Sequence, residues 1–112
     1  MKRLNVEIKA RCTAPQRIRA ELRRRGAEFR GRDRQVDTYF RCPHGRLKLR
    51  RGRIETALIA YDRPDEPGPK PARVTLLKPA DPEAMGRVLA AALGVRCVVD
   101  KQRDIYYLDK VK

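Results

Sequence analysis

The segment Arg46–Arg50 constrains the fold most strongly, because cations and leucines alternate through it without interruption. Successive side chains of a β-strand point to opposite faces, so Leu47 and Leu49 share one face and the three cations share the other. Cations about 7 Å apart along one strand face repel one another unless water or an anion covers them. The segment therefore predicts a strand with either a solvated basic face or an anion-binding one.

A hairpin precedes this strand. Residues 35–40 are rich in β-branched and aromatic side chains, which predicts a strand, and Cys42–Gly45 contains Pro43 and Gly45 and predicts a turn. Other predicted strands repeat the basic alternation. Near the N-terminus, Val6, Ile8 and Ala10 alternate with Glu7, Lys9 and Arg11. Later in the chain, Tyr61 and Arg63 share a strand face with Ile59, and Lys101 and Arg103 share one with Val99.

The remaining pattern predicts six strands and two helices in the order β-α-β-β-β-β-α-β. Strands are expected at about 4–12, 27–30 leading through a charged turn into 35–40, 46–51, 54–63, 73–77 and 95–108, with a proline-rich loop at 63–71. The order predicts an α+β fold with a mostly antiparallel sheet, in a single domain spanning residues 1–112.

Both helices have start and stop signals. Thr13 is expected to cap the first helix, which ends near Gly26, and Asp81 to cap the second, which ends at Gly94. The expected buried stripes are Ile18 and Leu22 in the first helix, and Met85, Val88, Leu89, Ala92 and Leu93 in the second. The arginines of the first helix, Arg17, Arg19 and Arg23–Arg25, are expected to form a solvated face, with contact to a phosphate backbone as the alternative.

The charge is strongly one-sided, with 28 lysines and arginines against 14 aspartates and glutamates, a net charge of +14. Such an excess indicates a polyanionic partner, a membrane surface or a missing acidic portion. The cations lie on strand faces and only six aromatic residues are present, which disfavours nucleic acid as the partner. A small basic RNA-binding protein without catalysis remains an alternative.

The location is expected to be the reducing cytoplasm, because three widely spaced cysteines fit neither a disulfide framework nor a zinc site. The sequence has no signal-peptide core and no apolar run of the roughly 20 residues that a membrane helix needs, so no membrane partner is expected.

Several short motifs in one order resemble the CYTH superfamily, the triphosphate tunnel metalloenzymes, and within it the branch of class IV adenylyl cyclases. They are Asn5-Val6-Glu7-Ile8-Lys9, Val36-Asp37-Thr38-Tyr39-Phe40, Gly45-Arg46-Leu47-Lys48-Leu49-Arg50, and Leu58-Ile59 through Tyr61, Arg63, Pro64 and Asp65. The resemblance implies a tunnel barrel with a polar interior and two covering helices, here incomplete, in which the leucines of Arg46–Arg50 pack outward and the cations point inward.

The resemblance also implies the site. Its triphosphate-binding residues are Lys9, Lys48, Arg50, Arg63, Lys101 and Arg103, with Arg11, Arg46 and Tyr61 less firmly implied. Glu7 is the implied ligand of Mg²⁺ or Mn²⁺, which hard oxygen donors suit; an ion pair with Lys9 is the alternative for Glu7.

The implied reaction is conversion of ATP to cyclic AMP and pyrophosphate. The alternative within the fold is hydrolysis of inorganic or thiamine triphosphate. Asn5 stands where the family signature has glutamate, and Pro71-Ala72-Arg73 replaces a Ser-Asp/Glu-Tyr-like stretch. Family members continue beyond the residues matched here with strands that carry further metal-binding carboxylates, so activity of this chain alone is doubtful. The sheet edges that such strands would cover are expected to be open. Open edges favour self-association, including a homodimer.

Overall fold

The structure, a computed structural model, describes residues 2–7, 10–62, 68–109 and 111–112; at residues 2–7, 70 and 72 it describes the backbone alone. The elements are β1 (Lys2–Glu7), α1 (Pro15–Arg24), β2 (Glu28–Phe40), β3 (Arg46–Gly52), β4 (Thr56–Asp62), β5 (Lys70–Leu77), α2 (Pro82–Leu93) and β6 (Val95–Tyr107). This order confirms the predicted succession of six strands and two helices.

The six strands form one antiparallel sheet in the order β1-β5-β4-β3-β2-β6. The α+β class with an antiparallel sheet and two helices is therefore confirmed. β1 and β6 are the two edges, and within the described ranges no strand pairing joins them, so the sheet is open there. Neither helix, in the part of the chain that the structure describes, is long and apolar enough to cross a membrane.

The strand register gives the sheet two different faces, because residues directly opposite in an antiparallel pair share a face. Thr38 lies opposite Leu49, and this face is covered by α2: a Cβ placed on Gly86 would lie 3.1 Å from the Leu49 side chain. Asp37 lies opposite Arg50 on the other face, which we call the polar face. The alternation in β3 is therefore confirmed.

Buried side chains lie on both faces. Phe40 and Leu49 are buried on the helical face, whereas Ala57, Val74 and Ile105 are buried on the polar face. The polar face also buries four polar or charged residues: Asp33, Gln35, Asp37 and Arg50. A small apolar core is thus combined with a buried ionic layer.

β2 is one long strand, and the predicted charged turn between residues 30 and 35 is wrong. A pairing irregularity between Phe29 and Gly31, where Gly31 has a φ of 126°, absorbs the bend without ending the strand. Arg32 and Arg34, which suggested a turn by their charge, pair instead with Asp104 and Asp100 on β6.

Three other predicted boundaries also shift. β1 ends at Glu7, and residues 10–12 are irregular, so the prediction that the strand reaches residue 12 is wrong. β4 begins at Thr56 instead of Ile54. β5 begins at Lys70, within the predicted loop, and Pro71 lies opposite Val6 of β1, so the prediction that the loop reaches residue 71 is wrong.

The ends of the helices follow local chemistry. The Asp81 carboxylate accepts a hydrogen bond from the Ala84 N–H at 3.0 Å, which confirms the predicted cap of α2. Thr13 does not cap α1: Ala14 is the N-cap and makes no side-chain hydrogen bond, because Pro15 suits the first helical position and places the cap directly before it. Gly26, with a φ of 79°, follows α1 as predicted.

The predicted buried stripes of the helices are only partly correct. Met85 and Leu89 of α2 are half-buried, but Val88, Ala92 and Leu93 are exposed. The described α2 contacts lie mainly on β2 and β3, which leaves the far side of the helix uncovered. In α1, Leu22 is half-buried, whereas the side chain of Ile18 is exposed.

Candidate functional site

Three cations from two strands converge on one buried carboxylate, Asp37 of β2. Arg50 of β3 donates from Nε to Asp37 Oδ1 at 3.0 Å and from Nη2 to Oδ2 at 2.9 Å. Lys101 Nζ of β6 lies 3.0 Å from Oδ2, and Lys48 Nζ of β3 lies 3.8 Å from it. We call these four residues the Asp37 cluster.

The strand register builds this cluster. Arg50 is directly opposite Asp37, while Lys48 and Lys101 are opposite Tyr39 and Gln35 and so reach Asp37 diagonally. Because all of these positions alternate along their strands, their side chains point to the polar face together. The arrangement needs no loop, and it is held by the hydrogen bonds of three paired strands.

Electrostatics within the cluster strongly favour the charged forms. Burial would raise the pKa of Asp37, but hydrogen bonds from Arg50 and Lys101 outweigh burial and hold that pKa below its usual value. Burial would lower the pKa of Arg50, and its two hydrogen bonds to Asp37 raise it instead. Asp37 and Arg50 are therefore both ionised, and the cluster as a whole contains three basic side chains and one carboxylate.

A second network lies beside the Asp37 cluster. The Gln35 amide donates to Asp33 at 3.0 Å and to Glu55 at 2.9 Å. Arg103 Nη1 lies 3.8 Å from Glu55 Oε1, and Lys112 Nζ lies 2.7 Å from Glu55 Oε2. Glu55 is thus a shared partner of two cations at the edge of the polar face.

Asp33 has a structural role. Its two carboxylate oxygens accept hydrogen bonds from the backbone N–H groups of Arg53, Ile54 and Glu55, at 2.8, 3.1 and 3.0 Å. Burial opposes ionisation, but the hydrogen bonds from Gln35 and from these three N–H groups hold the pKa of Asp33 below its usual value. Asp33 therefore fixes the turn between β3 and β4, which carries Glu55.

Lys48 is also positioned by two tyrosines. Its Nζ lies 5.0 Å from the ring centre of Tyr61 and 5.6 Å from that of Tyr39, both within the range of a cation–π contact. Burial and a hydrogen bond with Tyr61 raise the pKa of Tyr39 to about 12. The Tyr39 phenol is therefore neutral at pH 7, so its ring contacts the ammonium without adding negative charge.

The structure brings together four of the residues that the sequence predicted as phosphate-binding. Lys48 and Arg50 side chains are 13% and 9% exposed, whereas Lys101 and Arg103 are 33% and 36% exposed, so the β6 pair is the more accessible one. Tyr61 is half-buried beside Lys48, Arg46 is exposed at the start of β3, and Arg11 is exposed in a groove beside α1. Lys9, Arg63 and the Glu7 side chain lie outside what the structure describes.

The three carboxylates of the polar face, Asp33, Asp37 and Glu55, already have partners and do not fit a divalent cation. Asp37 and Glu55 are held by cations, and Asp33 is held by three backbone N–H groups, so each has its oxygens engaged. No group of three potential metal ligands occurs among the residues that the structure describes. Glu7, the predicted ligand, is the last residue of edge strand β1, opposite Lys70 of β5 and at the other edge of the sheet from β6.

Comparison with protein-family models found no match. Comparisons with curated proteins and with solved structures found none either. The resemblance to the CYTH superfamily therefore stays a prediction from the motifs.

Sequence reasoning missed the acidic and amide partners of the predicted cations. Asp33, Gln35 and Asp37 are fully buried, and with Tyr39 they occupy every second position of β2. The period-two pattern was visible in the sequence, but the predicted turn at residues 31–34 interrupted it. No sequence pattern pointed to Glu55 as a site residue, because its position in the network depends on the turn that Asp33 holds.

Proposed function

We propose that this chain binds a triphosphate on the polar face, as a CYTH-type protein related to the adenylyl cyclase branch. The observation that supports it most is the convergence of Lys48, Arg50 and Lys101 on Asp37 within 3.8 Å. Cations held rigidly in a partly buried layer attract phosphate oxygens more strongly than mobile surface cations do, because water screens them less.

Accessibility assigns different roles to these cations. Lys101 and Arg103, each about one-third exposed, meet the phosphates directly. Arg50 lies deeper and pairs with Asp37, so it offsets the negative charge that Asp37 would otherwise present to the phosphates. Arginine offers two parallel donors to a phosphate, whereas lysine acts as a point charge.

The opposite face of the sheet supplies a contrast. Arg32 and Arg34 on that face pair with Asp104 and Asp100, and the arginine side chains are 55% and 71% exposed. Exposed cations of this kind are well screened by water and attract a small anion less strongly than cations held in a partly buried layer. They provide controls that carry the same charge in a different setting.

In the proposed reaction the ribose 3′-hydroxyl of ATP attacks the α-phosphorus and pyrophosphate leaves; in the alternative hydrolase, water attacks the terminal phosphorus. In either reaction, the described residues bind the phosphates, neutralise their charge and hold them for in-line attack. Mg²⁺ or Mn²⁺ would accompany the phosphates at Glu7, and the further carboxylates that turnover needs are not among the described residues. We therefore propose triphosphate binding as the main function of this chain and catalysis as a secondary proposal.

Calorimetric titration with tripolyphosphate and with ATP tests the proposal. Lys101→Ala is expected to weaken binding of both ligands about tenfold, the loss of one charge-assisted hydrogen bond. Arg34→Ala, the matched control on the opposite face, is expected to leave the affinity nearly unchanged. Failure of tripolyphosphate to bind, or equal losses in the two variants, would reject a defined triphosphate site. Assaying cyclic AMP against free phosphate then separates cyclase from hydrolase.

A further inference from the structure

Three of the six aromatic residues gather at one end of the sheet, away from the Asp37 cluster. The rings of Phe29 and Tyr106 pack with centres 4.9 Å apart, and the Arg30 guanidinium lies 4.6 Å from the ring centre of the neighbouring Tyr107. Phe29 and Tyr106 lie opposite each other on the helical face, whereas Tyr107, the next residue of β6, points to the polar face, so we call Phe29 and Tyr106 alone the aromatic patch. Phe29 is 53% exposed, which is unusual for a phenylalanine and leaves most of its ring open to a ligand.

Basic residues surround the aromatic patch. Arg19 of α1 and Arg32 of β2 both contact Asp104, so two cations share one carboxylate there. A groove beside the patch runs between α1 and β6 and is lined by Ile18, Leu22 and Tyr106. Residues 15–25, which contain α1, carry five arginines against a single glutamate.

We infer that the aromatic patch binds single-stranded nucleic acid, with a base stacked on Phe29 and the phosphates lying along the arginines of α1 and β2. Every base has an aromatic face, so an exposed ring beside arginines holds unpaired bases with little sequence preference. The interaction is independent of the triphosphate site, because the patch lies at the other end of β2 and on the helical face of the sheet.

The shape of the patch favours this ligand over a duplex or an acidic protein. Stacking requires a base that is not paired, so duplex bases are unavailable to Phe29. An acidic peptide would satisfy the arginines but would gain nothing from an open aromatic ring. The small number of aromatics in the sequence argued against nucleic acid, and the fold answers that argument by placing Phe29 and Tyr106 in contact on one face.

Fluorescence anisotropy with a labelled 12-nucleotide oligouridine tests the inference. Phe29→Ala is expected to weaken binding about tenfold, within the range for the loss of one stacked base, while the dependence of affinity on salt keeps its slope because the phosphate contacts remain. Phe29→Leu, which keeps an apolar side chain but removes the ring, is expected to give a similar loss. Val88→Ala, at an exposed apolar position on α2, is the matched control and should bind like the unchanged protein.

Two further ligands make the result decisive. A duplex RNA of equal length should bind more weakly than the single strand at 0.1 M salt and should be unaffected by Phe29→Ala. Heparin, a polyanion without bases, should bind the unchanged protein and the Phe29→Ala variant with equal affinity. Absence of oligouridine binding, an equal loss of heparin binding in Phe29→Ala, or full affinity in Phe29→Leu would overturn the inference. Lys101→Ala should leave oligouridine binding intact, so this result is separate from that of the triphosphate test.

Discussion

Asp37 on β2 and Arg50 on β3 face each other across one strand pair and are joined by two hydrogen bonds of 3.0 and 2.9 Å. The Asp37 side chain is fully buried and that of Arg50 is 9% exposed. A buried carboxylate requires compensation, and Arg50 with Lys101 provides it. This pair therefore links the stability of the sheet to the charge of the polar face.

Lys48→Ala and Arg50→Ala are each expected to weaken tripolyphosphate binding by about 1–3 kcal/mol, the range for charge-assisted hydrogen bonds. Arg24→Ala should leave binding nearly unchanged, because Arg24 is exposed on α1 and pairs with Glu21. Calorimetry on the three variants measures these changes. Equal losses in all three would mean diffuse attraction to a basic protein.

Glu7→Gln is expected to lower tripolyphosphate binding in the presence of Mg²⁺ or Mn²⁺ and to leave binding in EDTA unchanged. The amide keeps the size of the side chain but removes the negative charge that attracts a hard cation. Paired titrations with and without the metal measure the difference. If the two proteins respond to metal identically, Glu7 is not a ligand.

Asp37→Asn should reduce the free energy of unfolding by about 3 kcal/mol, because it leaves buried cations without their counterion. Urea denaturation at pH 7 measures the change. Tripolyphosphate should restore more stability to this variant than to the unchanged protein, since an added anion replaces the lost carboxylate. Asp100→Asn, which breaks an exposed pair with Arg34, is the control and should have a much smaller effect.

Stability is expected to fall in acid. The pKa values of Asp33, Asp37 and Glu55 are all lowered in the folded protein, by backbone hydrogen bonds or by neighbouring cations that outweigh burial. A carboxyl whose folded pKa lies below its unfolded value, about 4, contributes stability above pH 4 that disappears as the pH falls through the folded pKa. Urea denaturation from pH 7 to pH 3 should show this loss, and Asp37→Asn should flatten the curve. If stability falls as steeply with pH in the variant, Asp37 does not contribute to the pH dependence.

Gly52→Ala should destabilise the protein by roughly 1–3 kcal/mol, the typical cost of forcing extra volume into a packed site. An added Cβ would contact the Asp33 carboxylate and lie 2.6 Å from the Glu55 carbonyl oxygen, so it would disturb the turn that Asp33 holds. Gly26→Ala is the comparison, because space is free there and only its φ of 79° opposes the change. Thermal unfolding of both variants measures the difference, and a smaller loss for Gly52→Ala would contradict the steric explanation.

Local patterns determined much of the fold. The alternation in Arg46–Arg50, the Asp81 cap and the glycines that follow the helices were sufficient to predict the order of elements, because strand period, capping and positive φ depend on residues close together in the chain. Lys48, Arg50, Lys101 and Arg103 of the polar face were predicted as part of a larger phosphate-binding set by the resemblance to the CYTH superfamily, and not by a local pattern.

Only the tertiary structure decided what those cations contact. Asp37 receives Lys101 from a strand more than 60 residues away, and Phe29 meets Tyr106 across the same pair of strands. Such partners depend on sheet order and register, which are set when the whole sheet assembles and buries its two faces. The exposed far side of α2 was also decided by the tertiary structure. The sequence of a helix specifies which of its faces is apolar, but the extent of the sheet beneath the helix decides how much of that face is covered.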